Sequence, residues 1–273
     1  MAGGKLSYTL LYFAILCLLF PNGGTAKTFS VSSSEDAPDL NPGDGLCVAY
    51  LIIIPPFVVP FCTLRAAVEE TNSLAGEDEI VLLAATYELG VEGTGEEWAA
   101  TGDLDIRDSV TISGRGVKET IISGGGLDRI FDVHGSADRV TIRDLSLQNG
   151  KILSASGQGG AIRNSASLTL TGVVVSENYG DGTSGIYNEG SCRLQRCSVF
   201  LNESGKGGVL WNGTGGTMRL EQTTLRHNLS TSGAYLVNRG FLSLVNSTVS
   251  NNGTASGAEA QTIIENRGEM EIV

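Results

Sequence analysis

The chain of 273 residues contains 37 glycines, has 18% charged residues and carries a formal net charge of −12. Its glycine content is about twice the usual share of about 7%. Disorder is excluded because the hydrophobic fraction is an ordinary 41%, and collagen is excluded because glycine does not recur at every third position. The acidic charge argues against nucleic acid and anionic membranes as partners. Abundant glycine together with many β-branched residues favours an all-β chain with many turns.

The first 26 residues are typical of a secretory signal peptide. Lys5 supplies the positive charge, residues 10–20 form an unbroken apolar run, and residues 24–26 are the small residues of a cleavage site. The apolar run is shorter than the about 20 residues that a transmembrane helix needs. We therefore expect export of a mature protein that is secreted or held at the cell surface and does not span the membrane.

Four cysteines remain after cleavage, and export permits disulfides. We expect Cys47 to pair with Cys62. Cys192 and Cys197 either pair with each other or stay as two small buried residues, and the sequence favours neither alternative.

An acidic loop precedes the first of these cysteines. Asp36, Asp39 and Asp44 have a spacing that could hold calcium, although the order of an EF-hand is incomplete. A plain acidic turn is the alternative, and no other cofactor is expected.

The segment between Cys47 and Cys62 is apolar throughout residues 48–61. Its prolines, at positions 55, 56 and 60, exclude a regular helix. We expect it to fold over the neighbouring helix or the first coil. The alternative is an exposed hydrophobic patch for a partner or a membrane surface.

One helix is predicted, from Leu64 onwards, because Ala67 and Val68 follow at helical spacing and Thr63 can cap its start. Short strands are predicted after it at Ile80–Leu83, Leu104–Ile106, Val110–Ile112, Thr120–Ile122, Ile130–Val133 and Val140–Leu147.

From about residue 157 onwards the sequence repeats. The stretches 167–178, 191–202, 217–228 and 241–252 align, each with apolar residues two apart, a polar bend and a final asparagine. A second recurring piece between them also contains an asparagine. The two series, each with a period of 24 to 28 residues, are Asn164, Asn188, Asn212, Asn238 and Asn266, and Asn178, Asn202, Asn228 and Asn252.

This period, with three short strands in each coil, predicts a parallel β-helix over residues 91–273, after an N-terminal cap at residues 27–90. A β-sandwich would not need a fixed period of identical corner residues. Asparagine suits the corners because it tolerates a left-handed backbone and its amide can bond the coils above and below. The helix is a natural lid for the first coil, since an open coil exposes an unpaired strand edge.

Met270 and Ile272 begin another coil. We therefore expect either further coils beyond Val273, so that this chain is a fragment, or self-association through the open rung.

The segment CTLRAA at residues 62–67, followed by VEETN, resembles the signature of the CSLREA-domain family. The flanking segments 28–47 and 76–89 are similar to that family's first strand and early coils, and the resemblance extends to about Gly150. It implies a secreted or surface-attached protein with a right-handed, pectin-lyase-like β-helix, for which adhesion or surface structure is the expected role. The apolar segment 48–61 departs from the family's usual short or polar loop.

Catalysis is not the favoured function. A polysaccharide lyase or a glycoside hydrolase acting on acidic glycans remains the alternative, because β-helices often carry such enzymes, but it would need converging carboxylates. The outward positions of the first repeat strand carry no stack of aspartates. His134 and His227 have no evident partner and are expected at the surface or at corners.

Outward charges on that strand are the remaining candidates for a ligand site. Arg143, Arg193 and Arg219, with Glu221, could line one face and bind an acidic glycan, and ordinary solvated positions are the alternative. We expect a non-catalytic, exported β-helix that acts as a surface, adhesin-like or scaffold module with glycans or cell-surface molecules as partners.

Overall fold

Short parallel strands, stacked coil upon coil, form nearly all of the regular secondary structure among the described residues. The computed structural model describes residues 24–154, 157–231, 234–253 and 264–273. Most of the predicted signal peptide, residues 1–23, lies outside the described residues. The predicted all-β class and parallel β-helix are confirmed, with one helix among the described residues.

Three long parallel sheets run along the stack. Sheet 1 has nine strands: Thr28–Ser30, Asp78–Val81, Val110–Ser113, Val140–Arg143, Ser167–Thr171, Ser191–Gln195, Thr217–Glu221, Phe241–Val245 and Glu269–Ile272. Sheet 2 has seven: Ala85–Glu88, Thr120–Ser123, Ser146–Gln148, Val174–Ser176, Ser198–Phe200, Thr224–Arg226 and Thr248–Ser250. Sheet 3 also has seven: Leu104–Ile106, Phe131–Val133, Ile162–Asn164, Thr183–Asn188, Gly208–Asn212, Leu236–Asn238 and Ile264–Asn266.

A small fourth sheet lies between sheets 2 and 3 in chain order. Its strands are Lys151–Ile152, Tyr179–Gly180, Glu203–Ser204 and Leu229–Ser230. Strands of the predicted cap, residues 27–90, already belong to sheets 1 and 2, so the cap and the coil stack share their sheets. The predicted strand Val140–Leu147 is two strands, because Asp144 takes a left-handed backbone with φ 56° and turns the chain from sheet 1 to sheet 2.

In-register pairing stacks like residues on like inside the coil. On sheet 1, Leu170 pairs with Leu194, which pairs with Leu220, and that residue pairs with Leu244. All four are buried. Burying one such side chain contributes about 1.5–3 kcal/mol, so these columns are the core of the fold.

Both predicted asparagine ladders are present. In the first, each Nδ2 donates to the Oδ1 of the next asparagine at 2.7–2.8 Å, from Asn164 through to Asn266. In the second, from Asn178 to Asn252, the same bond measures 2.9 Å. The predicted left-handed backbone is wrong for these asparagines. In the second ladder the residues that take it immediately precede them: Glu177, Leu201, His227 and Asn251, with φ of 52–58°.

The helix α1 spans Leu64–Ser73, and the hydroxyl of Thr63 accepts a hydrogen bond from Ala66 N at its start, as predicted. Arg65 on this helix is fully buried. Its guanidinium binds both carboxylate oxygens of Asp36, at 2.7 and 3.0 Å. It also donates to the carbonyls of Ala99 and Gly102, at 2.6 and 2.8 Å. Arg65 therefore joins the cap to the loop that leads into the first strand of sheet 3.

The predicted disulfide between Cys47 and Cys62 is present. Cys192 and Cys197 are not joined and are both buried thiols, so the second of the two alternatives holds. Cys192 occupies an inward position in register with Leu168 and Met218, where it serves as a small core residue. Burial raises the pKa of both thiols, that of Cys197 to about 11.

The apolar segment between the disulfide cysteines is an antiparallel hairpin of strands Tyr50–Ile54 and Phe57–Phe61. The prediction that it folds over the helix or the first coil is wrong, because its side chains face outwards; Ile53 is 71% exposed and Phe57 is 67% exposed. At the base of the hairpin, the ring of Tyr50 stacks on the ring of Phe61, with the two centroids 5.1 Å apart. That this exposed apolar surface meets a partner or a membrane stays a prediction.

Replacing an internal ladder asparagine should destabilise the fold strongly. Asn188→Ala removes bonds to Asn212 and to the carbonyls of Gly190 and Thr217, and it takes an acceptor from Asn164. We expect a loss of about 2–3 kcal/mol in urea unfolding, because buried polar groups lose their partners. Asn266→Ala, at an exposed rung, is the matched control and should cost about 1 kcal/mol or less. Equal losses for the two variants would contradict the ladder's role.

Glu69 on α1 should make stability depend on pH. Burial raises the pKa of Glu69 from 4.5 to about 7, against a backbone hydrogen bond from Asp39 that lowers it. Because ionisation is harder in the folded state, folding stability should fall as pH rises from about 4.5 to about 7. Glu69→Gln should lose this part of the decline in a series of unfolding curves, whereas Glu119→Gln, at an exposed position, should keep it. A profile unchanged by Glu69→Gln would refute the assignment.

Candidate functional site

Sheet 3 places one outward side chain from each coil in a single column. The inward neighbours, such as Leu104 and Ile106 around Asp105, are buried, so the residue between them points away from the core. The column runs in register through Asp105, Asp132, Arg163, Tyr187, Trp211, Val237 and Glu265. Its chemistry thus changes along the stack from acidic through basic to aromatic.

At the acidic end, Asp105 is held on both sides. The backbone N–H of Ala99 donates to Oδ2 at 2.9 Å, and His134 Nε2 donates to Oδ1 at 2.7 Å. His134 comes directly after the strand Phe131–Val133, at the corner beside Asp105. The hydrogen bond to Asp105 raises the pKa of His134 above its usual value of 6.5.

Asp132 lies one coil further on. Its Oδ2 is 3.2 Å from Nη1 of Arg163 and 3.5 Å from Nη1 of Arg129. Its Oδ1 has no hydrogen-bond partner among the described residues, although Asp132 is only 6% exposed. Arg129 Nε also lies 2.8 Å from Oδ2 of Asp103, and burial raises the pKa of Asp103 to about 8.

This arrangement can bind a cation more readily than it can cleave a polymer. Asp105, Asp132 and His134 each place one donor atom within 4.8 Å of the others. The side chains of Asp105 and Asp132 are only 2% and 9% exposed. A glycosidase needs two carboxyl groups that flank a sugar bond, and carboxylates this deeply covered do not meet that need.

At the aromatic end, Tyr187 and Trp211 form one wall of a groove of about 260 Å³. Their rings stack across neighbouring strands with centroids 6.1 Å apart and planes 13° from parallel. The guanidinium of Arg239 lies over the Trp211 ring, 5.0 Å from its centroid.

Three glycines line the groove beside this wall, together with Gln158 and Thr183. Gly157, Gly182 and Gly207 stack in successive coils, where Thr183 N donates to Gly157 O and Gly207 N to Gly182 O. A Cβ on Gly182 would lie 2.1 Å from the Gly157 carbonyl oxygen, so only glycine fits there. The groove therefore combines an aromatic wall with a floor of stacked glycines.

A second, wider groove of about 460 Å³ lies beside the small fourth sheet. Lys151, Leu153 and Tyr179 line it together with two glycines. The Tyr179 hydroxyl donates to Asp181 at 2.7 Å. This groove has a single aromatic side chain and no stacked pair among its described lining residues.

The predicted charged face is on sheet 1, away from this column. Arg193 and Arg219 both bind Glu221, the first at 2.6 Å, and Arg143 lies 3.2 Å from Glu79. The three arginines are exposed as predicted, but each already has an acidic partner in the protein. Glycan binding by this face stays a prediction.

The carboxylates of the acidic loop accept hydrogen bonds from backbone N–H groups and from Arg65. Asp39 accepts from Asn41 N and Val48 N, and Asp44 accepts from Leu46 N. Asp36 binds Arg65. The structure thus shows the acidic turn, and calcium binding by these three residues stays a prediction.

The Asp105–His134 pair escaped the sequence analysis, and the expectation that His134 has no partner is wrong. The two aspartates stack on sheet 3. The repeat pattern identifies outward-facing candidate residues only on the strand that belongs to sheet 1. The available signal was local, since LDI at 104–106 and FDV at 131–133 each place an aspartate between two inward apolar residues.

Among the residues that the structure describes, no helix is long and apolar enough to cross a membrane. No family model, curated protein or solved structure matches the chain. Membership of the CSLREA-domain family therefore stays a prediction that rests on the motif at residues 62–72.

Proposed function

We propose that the protein is an exported, non-catalytic β-helix that binds a polysaccharide along the groove of sheet 3 and serves as an adhesin-like surface module. The observation that carries this proposal is the stacked pair of Tyr187 and Trp211 beside a floor of glycines. Export is supported by the disulfide between Cys47 and Cys62, since such bonds persist in oxidising compartments.

The groove has the chemistry that sugars require. The C–H faces of a pyranose ring pack on aromatic rings, while its hydroxyls need hydrogen-bonding groups close by. Gln158 and Thr183, which line the groove together with the glycines, can supply such groups. Because the glycines of the groove recur in three successive coils, at the about 4.8 Å spacing of neighbouring strands, the groove suits a repeating polymer better than a single small molecule.

The ligand is expected to be a neutral glycan. Both arginines near the aromatic wall have acidic partners, because Arg163 lies 3.2 Å from Asp132 and Arg239 lies 3.5 Å from Glu265. The net charge of −12 also repels acidic polymers at long range. Arg193 and Arg219 on sheet 1 are the sites to consider if an acidic glycan binds instead.

The alternative, a polysaccharide lyase or glycoside hydrolase, has less support. The stacked carboxylates Asp105 and Asp132 are the nearest match to its requirement, but they are covered by the loop around Ala99 and engaged by His134 and two arginines. Their burial supports binding without cleavage.

Binding to insoluble and soluble neutral polysaccharides, measured by pull-down and affinity electrophoresis, tests the proposal. Trp211→Ala should weaken binding about tenfold or more, which corresponds to about 1.4 kcal/mol. Tyr179→Ala, at the aromatic residue of the second groove, is the matched control and should bind like the wild type.

Two results would contradict the proposal. Binding that is lost in Tyr179→Ala and kept in Trp211→Ala would move the ligand to the second groove. New reducing ends or unsaturated uronides released from a polysaccharide, and abolished by Asp132→Asn, would favour the enzyme.

A further inference from the structure

We propose that Asp105, Asp132 and His134 form a binding site for a divalent transition-metal ion that fastens the first two strands of sheet 3 together. The site is separate from the sugar groove and does not depend on the proposed function. Its three donor atoms come from two neighbouring coils and lie within 4.8 Å of one another.

Each carboxylate is anchored through one oxygen. Ala99 N–H holds Oδ2 of Asp105 at 2.9 Å, and Arg163 holds Oδ2 of Asp132 at 3.2 Å. Outer hydrogen bonds of this kind orient the ligands of metal sites. Oδ1 of Asp132 has no hydrogen-bond partner among the described residues, whereas Oδ1 of Asp105 is bonded to His134 Nε2. An ion bound by these three atoms would therefore replace the proton between Nε2 and Oδ1 of Asp105.

Asp132 supplies an independent indication of a missing partner. The residue is 6% exposed, and its Oδ1 has no hydrogen-bond partner among the described residues. A buried carboxylate oxygen without a donor is costly. A bound cation would satisfy this oxygen.

His134 completes the set with a nitrogen. Its Nε2 faces Oδ1 of Asp105 at 2.7 Å, while its Nδ1 lies 3.7 Å from Oε2 of Glu97. Histidine ligands commonly have a carboxylate at the second ring nitrogen, which fixes the ring's orientation. Glu97 is 64% exposed and would have to move closer to form that hydrogen bond.

The donor chemistry selects the class of ion. Calcium and magnesium take oxygen ligands almost exclusively, whereas zinc and manganese accept imidazole nitrogen together with carboxylates. The acidic groups Asp105, Asp128, Asp132 and Glu97 outnumber the arginines Arg107, Arg129 and Arg163 in this region, so a dication adds charge of the sign that balances them. With three protein ligands, a tetrahedral ion would keep one position for water.

The test titrates Zn²⁺, Mn²⁺ and Ca²⁺ into metal-stripped full-length protein by calorimetry. We expect one Zn²⁺ or Mn²⁺ per chain, weaker binding of Ca²⁺, and a higher Tm with the bound ion. Asp132→Asn, which is isosteric, and His134→Gln should each weaken Zn²⁺ binding by about tenfold or more. Asp144→Asn, at an exposed corner, is the matched control and should bind Zn²⁺ like the wild type.

Zn²⁺ and Mn²⁺ binding that is absent from the wild type, or unchanged in both variants, would overturn the proposal. So would Ca²⁺ binding as tight as that of Zn²⁺ and insensitive to His134→Gln. If the variants fail to fold, X-ray absorption of the zinc-loaded wild type decides: imidazole scattering with oxygen neighbours supports the site, and its absence refutes it.

Discussion

In-register parallel stacking is the constraint on which the rest of this structure depends. Each strand residue inside the stack pairs with a residue of the coil before and of the coil after, so a residue type that suits an inward or corner position is repeated in the next coil. The leucine column that includes Leu170 and Leu194, the asparagine ladders and the glycine floor at Gly182 are three results of this rule. The same rule brings Tyr187 against Trp211, so that two separate aromatic residues form one stacked surface.

Arg65 connects this stack to its cap and, through the cap, to the candidate metal site. It holds Asp36 from the acidic loop and the carbonyls of Ala99 and Gly102 from the loop ahead of sheet 3. Ala99 in turn holds Asp105. Loss of a buried, fully paired arginine would leave several polar groups without partners, so the arginine of the CTLRAA motif supports both the fold and the position of Asp105.

The repetitive part of the molecule could be predicted from the sequence, whereas its departures from repetition could not. The ladders around Asn188 and the start of α1 at Leu64 follow from spacing and capping alone. The Asp105–His134 contact joins the first two, irregular coils, where no period aligns the residues. The hairpin around Ile53 is apolar enough to be buried, and only the three-dimensional structure shows that it projects from the cap.

The ladders also give the stack a direction. In both of them each side-chain amide donates to the coil that follows and accepts from the coil that precedes, as Asn188 does between Asn164 and Asn212. The amide dipoles are therefore aligned along the axis, unlike the largely cancelling dipoles of a sheet. Because aligned hydrogen bonds polarise one another, each added coil should strengthen the ladder bonds of the coils next to it.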